Sequence, residues 1–150
     1  MDREAGCEWI VEAHGCDGAA LADPARLRGL FDHLIQALAL HPLREASWHQ
    51  FPGTGGITGL CLLRESHLAC HTFPEYGALC LNVFCCRPRP EWDFDGQLRA
   101  QFSAQSVQVR RLERPYGAIK AGGRGRSPAP TVRNVGAGLR ARPSGKVRVP

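Results

Sequence analysis

Four strand-length segments lie between Ser47 and Cys86 with only short connections between them, and that spacing constrains the fold more than any other feature. Parallel neighbours need crossovers of a dozen or more residues, so strands this close pair antiparallel. The segments are Ser47–Phe51, Ile57–Arg64, Ser66–Phe73 and Ala78–Cys86, with a flexible loop at Pro52–Gly56 and a turn at Pro74–Gly77. The run Ala78–Cys86 (ALCLNVFCC) is rich in β-formers and long enough for a central strand. Cys7–His14 adds a strand in which Trp9, Val11 and Ala13 alternate with Glu8, Glu12 and His14, and Val107–Leu112 adds a last one. Between the first two strands, Gly15–Gly18 is turn chemistry, and Asp23-Pro24 supplies a cap and a first helical residue. Leu27, Leu30, Phe31, Leu34 and Leu38 then recur at helical spacing, predicting a helix from Pro24 to Leu40 that stops at His41-Pro42. Phe94, Leu98 and Phe102 predict a second helix over Asp93–Ala104, although Gly96 lowers its propensity. The order β-α-β-β-β-β-α-β predicts an α+β two-layer sandwich: an antiparallel β-sheet with two helices on one face.

Charge divides the chain in two. Residues 117–150 hold eight Lys or Arg and no Asp or Glu, whereas all 14 acidic residues precede them. The formal charge of +5 therefore belongs to a Gly/Pro-rich segment with no aromatic residue after Tyr116. That composition predicts a disordered basic tail over 117–150 following a folded domain over 1–116, and no nucleic-acid binding is expected. The first residues, Met1-Asp2-Arg3-Glu4, are charged and lack the apolar run of a secretory leader. No apolar stretch approaches the roughly 18 residues of a membrane span, so no membrane partner is expected. Seven cysteines without a CxxC pair argue against a zinc ribbon and fit reduced thiols in the cytoplasm.

The stretch Glu65-Ser66-His67-Leu68-Ala69-Cys70-His71-Thr72-Phe73-Pro74-Glu75-Tyr76-Gly77 crowds a serine, two histidines, a thiol and two carboxylates into a strand and a turn. Buried polar groups need partners, so a small domain rarely places this much chemistry on one β segment. From the residues alone, three readings stand open. His67 and His71 share a strand face and could hold a metal, although no third ligand follows at a recognisable spacing. Cys70, Cys80, Cys85 or Cys86 could pair with a histidine as a nucleophile, although a buried cysteine is commonly an inert apolar residue. Or the histidines are simply hydrogen-bonded in a half-buried sheet.

The same stretch resembles the processing motif of bacterial and archaeal S-adenosylmethionine decarboxylase proenzymes, ESHLxxHTWPEYG. Val83-Phe84-Cys85-Cys86 resembles that family's strand ending in Phe-x-Cys, and His49-Gln50-Phe51 with Gly56-Ile57-Thr58-Gly59 resembles its H-x-F-x-P-x-G-V-S-G. Glu12–Asp17 resembles its E-x-Y-G-C-D, so the likeness spans about residues 7–113. The resemblance implies a self-cleaving chain: the Ser66 hydroxyl attacks the Glu65 carbonyl, an ester replaces the peptide bond, and elimination releases the upstream chain. The residue left behind becomes a pyruvoyl group that forms a Schiff base with the substrate and acts as an electron sink. Residues 1–65 would be the β chain, with the α chain beginning at Ser66.

By the same resemblance His71 accepts a proton during processing, a task that suits imidazoles, which as a class titrate near neutrality. Thr58 supports processing where the family has a serine, and Cys86 returns a proton during decarboxylation. Phe51 and Phe73 would flank an adenine ring and Glu75 would accept hydrogen bonds from ribose hydroxyls. The implied substrate is S-adenosylmethionine, the implied route spermidine synthesis, and the implied assembly a homodimer of αβ protomers with sites at the interface. The chain departs from the family pattern in a longer Pro52–Gly56 loop, in Asn82 for an acidic residue, in Phe73 for tryptophan and in His14 for tyrosine. Ornithine or arginine is the alternative substrate, and a non-catalytic basic-tail binding protein is the alternative of a different class. Ser66 and His71 are five apart, so an unbroken strand aims them at opposite faces, and a bend is expected before Ser66.

Overall fold

The computed structural model describes residues 5–117 and 131–135. Within the described residues seven strands form one antiparallel sheet: β1 (Ala5–His14), β2 (Ser47–Gln50), β3 (Ile57–Leu63), β4 (Ser66–Phe73), β5 (Ala78–Cys85), β6 (Ser106–Pro115) and β7 (Thr131–Val135), in the spatial order β2-β3-β4-β5-β1-β6-β7. Two longer helices, α2 (Pro24–Ala37) and α3 (Phe94–Phe102), and the one-turn α1 (Gly18–Leu21) complete the layer pair. The α+β sandwich expected from element order is the observed architecture.

Alternation explains why the helices cover one face only. Cys7, Trp9, Val11 and Ala13 of β1 are buried, as are Leu68 and Cys70 of β4 and Leu79, Leu81 and Val83 of β5. They form one apolar core with Leu27, Leu30, Phe31 and Leu34 of α2 and with Phe94, Leu98 and Phe102 of α3. The residues between them point to the other face, which no helix covers among the described residues: Leu60, Leu62 and Phe73 stand exposed there. A sheet with one packed and one open face is expected for antiparallel strands.

Several boundaries differ from expectation for local reasons. Turn chemistry at Gly15–Gly18 is followed by α1, capped by the Asp17 carboxylate, which accepts from the Ala19 N–H at 3.2 Å. Helix α2 ends at Ala37 because Ala39 turns left-handed, with φ 49°. In α3, the Gly96 N–H donates to the Asp93 carboxylate at 3.0 Å, and a side chain at 96 would collide with that carboxylate. The residue that lowers helix propensity thus makes room for the cap. The Pro52–Gly56 loop, expected to be flexible, is tied across its base by Phe51 N–H to Gly56 C=O (2.8 Å) and by the Gln50 side chain to Gly55 C=O (3.1 Å) and Ala22 C=O (2.9 Å). Within the segment read as a disordered tail, residues 131–135 form β7 on β6, as their β-branched Thr131, Val132 and Val135 favour. The rest of that segment beyond Gly117 lies outside the described residues.

Among the described residues Thr72 is the one polar side chain buried in the core, and it joins three elements. Its hydroxyl accepts from the Ile57 N–H at the start of β3 and donates to the Leu21 carbonyl at the end of α1, both at 2.8 Å. A Thr72→Val substitution keeps the shape and orphans both backbone groups, each costing about 1–3 kcal/mol. Denaturant unfolding is expected to show a loss of about 2–4 kcal/mol.

Candidate processing and binding site

Two clusters of side chains lie at opposite ends of β4. The first surrounds the hairpin turn between β3 and β4. Leu63 pairs with Ser66, leaving Arg64 and Glu65 as the two turn residues, so the bend expected before Ser66 is this turn. The turn is held on every side. Arg64 N–H donates to His41 C=O at 2.9 Å, and Cys86 N–H donates to Glu65 C=O at 2.7 Å. The Glu65 carboxylate meets Arg87 at 3.2 Å and the mostly buried Arg89 at 3.6 Å. Ser66 faces Cys85 directly across the β4–β5 ladder. Burial pushes the Cys85 thiol up to about 11, despite the opposing charge of Arg89. Cys86, one residue on, has left the ladder and is exposed.

The second cluster sits at the far end of β4. Thr58 and His71 are cross-strand partners, and the Thr58 hydroxyl and His71 Nδ1 are hydrogen-bonded at 3.0 Å. Around them Phe51, Thr54, Thr72, Phe73 and Glu75 complete a pocket of about 270 Å³. Ligand pockets more commonly hold roughly 300–1,000 Å³, so this one is small for a whole nucleoside-sized ligand. Phe51 and Phe73 leave 49% and 39% of their surfaces exposed, which suits aromatic faces waiting for a flat partner. Glu75 is held beside them by the 3₁₀ turn Pro74–Tyr76, closed by Gly77 at φ 58°. Larger hollows of 400 and 570 Å³ lie against α2 and are lined by none of the candidate site residues.

The eight residues expected to act together are therefore placed as three and five. Glu65, Ser66 and Cys86 gather at the turn, and Thr58, His71, Phe51, Phe73 and Glu75 gather at the pocket. The β4 ladders to β3 and β5 run without a bulge, so Ser66 shares the helix-covered face with Leu68, Cys70 and Thr72, whereas His71 shares the open face with Phe73. Five residues of strand also separate them by about 16 Å.

Sequence reasoning missed what surrounds these residues. The Cys86 N–H on the Glu65 carbonyl is a backbone contact and carries no side-chain signature. The Arg87/Arg89 clamp could have been suspected from two basic residues just past β5. His67 bonds Asn82 Oδ1 at 3.0 Å, and Asn82 donates to Glu8 at 2.8 Å, with Arg114 on the other Glu8 oxygen. An amide at 82 can accept from one neighbour and donate to the other, which a carboxylate facing Glu8 could not. His67 also stacks on Phe84, with ring centroids 5.4 Å apart. Among the described residues no three His, Cys, Asp or Glu side chains gather as a metal site.

Fold and site define a two-layer antiparallel α+β protein with a serine set directly behind a tethered hairpin turn. Comparison with known proteins narrows this. The sequence pattern of S-adenosylmethionine decarboxylase matches residues 7–115. The S-adenosylmethionine decarboxylase proenzyme of Clostridium kluyveri is 32% identical over 114 residues, covering 75% of this chain and 88% of that one. The proenzyme of the same name from Pyrococcus furiosus is 33% identical over 112 residues, covering 73% and 78%. The crystal structure of the adenosylmethionine decarboxylase of Aquifex aeolicus superposes with a TM-score of 0.65 at 20% identity, covering 81% of this chain and all of that one, and so shares the fold. The chain belongs to the S-adenosylmethionine decarboxylase family. The resemblance read from the sequence is borne out, and with it a decarboxylase as the enzyme class.

Buried thiols give a direct check on the geometry of β4. Burial raises the Cys70 thiol to about 12, against the opposing backbone hydrogen bond at Gly59, and raises Cys85 to about 11. Both stay protonated at pH 8 and are closed to solvent, so iodoacetamide is expected to leave them unmodified until the protein unfolds. Peptide mapping that finds Cys85 alkylated in the folded protein would contradict the placement of Ser66.

Proposed function

We propose that this chain is a proenzyme that cuts itself between Glu65 and Ser66 and then decarboxylates S-adenosylmethionine. The observation that carries the reading is the placement of the Glu65–Ser66 peptide in a tethered turn with a hydrogen-bond donor on its carbonyl. Attack by Ser66 Oγ places negative charge on the Glu65 oxygen, and the Cys86 N–H already points at that atom. The C–N bond then breaks, the Oγ proton passes to the freed amine, and an ester joins the two halves. Removal of the Ser66 α-proton expels the Glu65 carboxylate, and hydrolysis of the resulting dehydroalanine yields the pyruvoyl group and ammonia. Ser66 is the only precursor this group needs. Once formed, it supplies an electrophilic carbonyl that holds the substrate amine and takes up electrons as CO₂ leaves.

The chain's own residues divide the remaining work. Cys86 lies at the same end as Ser66, where a proton must be returned to the substrate. Phe51 and Phe73 would bracket the adenine, and Glu75 would accept from the ribose hydroxyls. An aromatic pair beside a carboxylate suits an adenosine far better than the short side chain of ornithine or arginine. His71, hydrogen-bonded to Thr58, would take the α-proton.

Within one chain His71 cannot do so, since it lies about 16 Å from Ser66 and on the other face. A two-fold homodimer packed through the open sheet faces resolves this by bringing the partner's His71 to the Ser66 α-hydrogen, which lies on the side opposite the Ser66 side chain. It runs β4 of one protomer against β4 of the other, so the turn end of each meets the pocket end of its partner. The exposed Leu60, Leu62 and Phe73 supply apolar surface for such packing. A half-site also explains the small pocket volume. Unbridged cysteines throughout the chain fit a reducing cytoplasmic location.

Release of CO₂ from S-adenosylmethionine, ornithine and arginine by the purified protein tests the reading. Turnover is expected with S-adenosylmethionine alone, with Ser66→Ala inactive. Glu75→Gln is expected to raise KM about tenfold, the loss of one charged hydrogen bond. Turnover of ornithine or arginine in preference would transfer the proposal to that substrate.

A further inference from the structure

Gly6, in β1, lies against the peptide that holds the scissile carbonyl. Its backbone conformation is ordinary; the space around it is not. A methyl group at this position would overlap the Cys85 carbonyl oxygen and would sit 3.3 Å from both the Cys85 carbonyl carbon and the Cys86 Cα. All three atoms are backbone, so no side chain can swing aside. The two ends of the same peptide unit thus do different things: its C=O end rests on Gly6, and its N–H end donates to the Glu65 carbonyl at 2.7 Å.

The last ladder pair between β1 and β5 is Cys7 with Cys85, so the Cys85–Cys86 peptide begins where regular pairing stops. Its position is set by packing and not by the sheet ladder. Nor is β1 free to retreat. Ala5 and Gly6 are buried and paired with Pro115 and Arg114 of β6. A side chain at residue 6 would therefore push the Cys85–Cys86 peptide, by on the order of 1 Å to reach ordinary contact. Because the N–H lies at the far end of the same peptide, that displacement crowds and tilts the 2.7 Å bond and moves the Cys86 N–H off its alignment on the Glu65 carbonyl.

We propose that Gly6 is a positioning residue for self-cleavage: by having no side chain, it lets the Cys85–Cys86 peptide sit where its N–H polarises the Glu65 carbonyl. The inference rests on the self-processing reading above and adds a determinant outside the processing motif. The step affected is the acyl shift, in which the Ser66 Oγ–C bond forms, the C–N bond breaks and the proton moves from Oγ to the amine. Later elimination needs His71 but not the Glu65 oxyanion, so the two steps can be separated chemically. Hydroxylamine attacks an ester and not a peptide bond, releasing the upstream chain with a hydroxamate on Glu65 and restoring the serine hydroxyl.

The test measures cleavage of Gly6→Ala by intact mass over time, alone and combined with His71→Ala under hydroxylamine. Gly6→Ala is expected to slow conversion at least about tenfold, a fraction of the loss typical for an oxyanion donor. Hydroxylamine-released fragment should fall similarly relative to His71→Ala alone, because fewer chains reach the ester. Leu98→Ala, a core change in α3, serves as a control for lost stability and should process at near the unmodified rate. Should Gly6→Ala not fold, a semisynthetic chain with an ester in place of the Cys85–Cys86 peptide removes the N–H and leaves Gly6, and should be equally slow. Conversion of either chain at the unmodified rate overturns the proposal, as does a slowing that Leu98→Ala matches at equal loss of stability. If the unmodified chain itself stays whole, self-processing fails and this inference with it.

Discussion

The two-residue period of β4 governs everything else in this molecule. A strand paired on both sides without a bulge must alternate its faces, and β4 is paired residue by residue with β3 and β5. Its core face is committed to Leu68, Cys70 and Thr72, so Ser66 shares that side while His71 and Phe73 face the opposite way. A one-residue slip would bury His71 and expose Leu68, which the apolar core forbids. The chemistry is therefore split by the same alternation that makes the domain fold. One end of β4 carries a bond prepared for attack, and the other carries a base and a pocket.

The turn end is prepared by tethering and not by strain. Two-residue connections are tight, and this one has its flanking backbone groups bonded to His41 and Cys86 and its carboxylate clamped by two arginines. Donors fixed in advance cost no reorganisation when charge develops on the carbonyl. Arg89 is also near Cys85, whose buried neutral thiol completes the wall behind Ser66. These contacts come from segments far apart in the chain, brought together because β5 lies beside both β4 and β1.

Much of this was legible before the structure. The succession of elements from β1 to β6, the two longer helices and a sheet covered on one face all followed from apolar spacing, and the parity conflict between Ser66 and His71 followed from counting. Thr58 and His71 were both singled out by resemblance, but that they are hydrogen-bonded partners across β3 and β4 is shown only by the structure. What was not legible lay in the backbone or in tertiary packing. Helix α1 is four residues long, too short to show a period. The roles of Thr72 and Gly6 depend on which strands adjoin them, and nothing in their local sequence marks either. The strand at 131–135 hides in a basic, Gly-rich segment because an existing sheet edge at β6, not local propensity alone, recruits it.

The split site is the central claim, and complementation between two defective chains tests it most directly. Ser66→Ala lacks the bond-cutting hydroxyl and keeps His71; His71→Ala lacks the base and keeps Ser66. Each purified alone is expected to remain whole. Co-expressed with distinguishable tags, they form mixed dimers in which the Ser66 of the His71→Ala chain meets the intact His71 of its partner. Intact mass should then show cleavage of the His71→Ala chain and never of the Ser66→Ala chain. Mixed dimers in which both chains stay uncut would contradict a site shared between protomers.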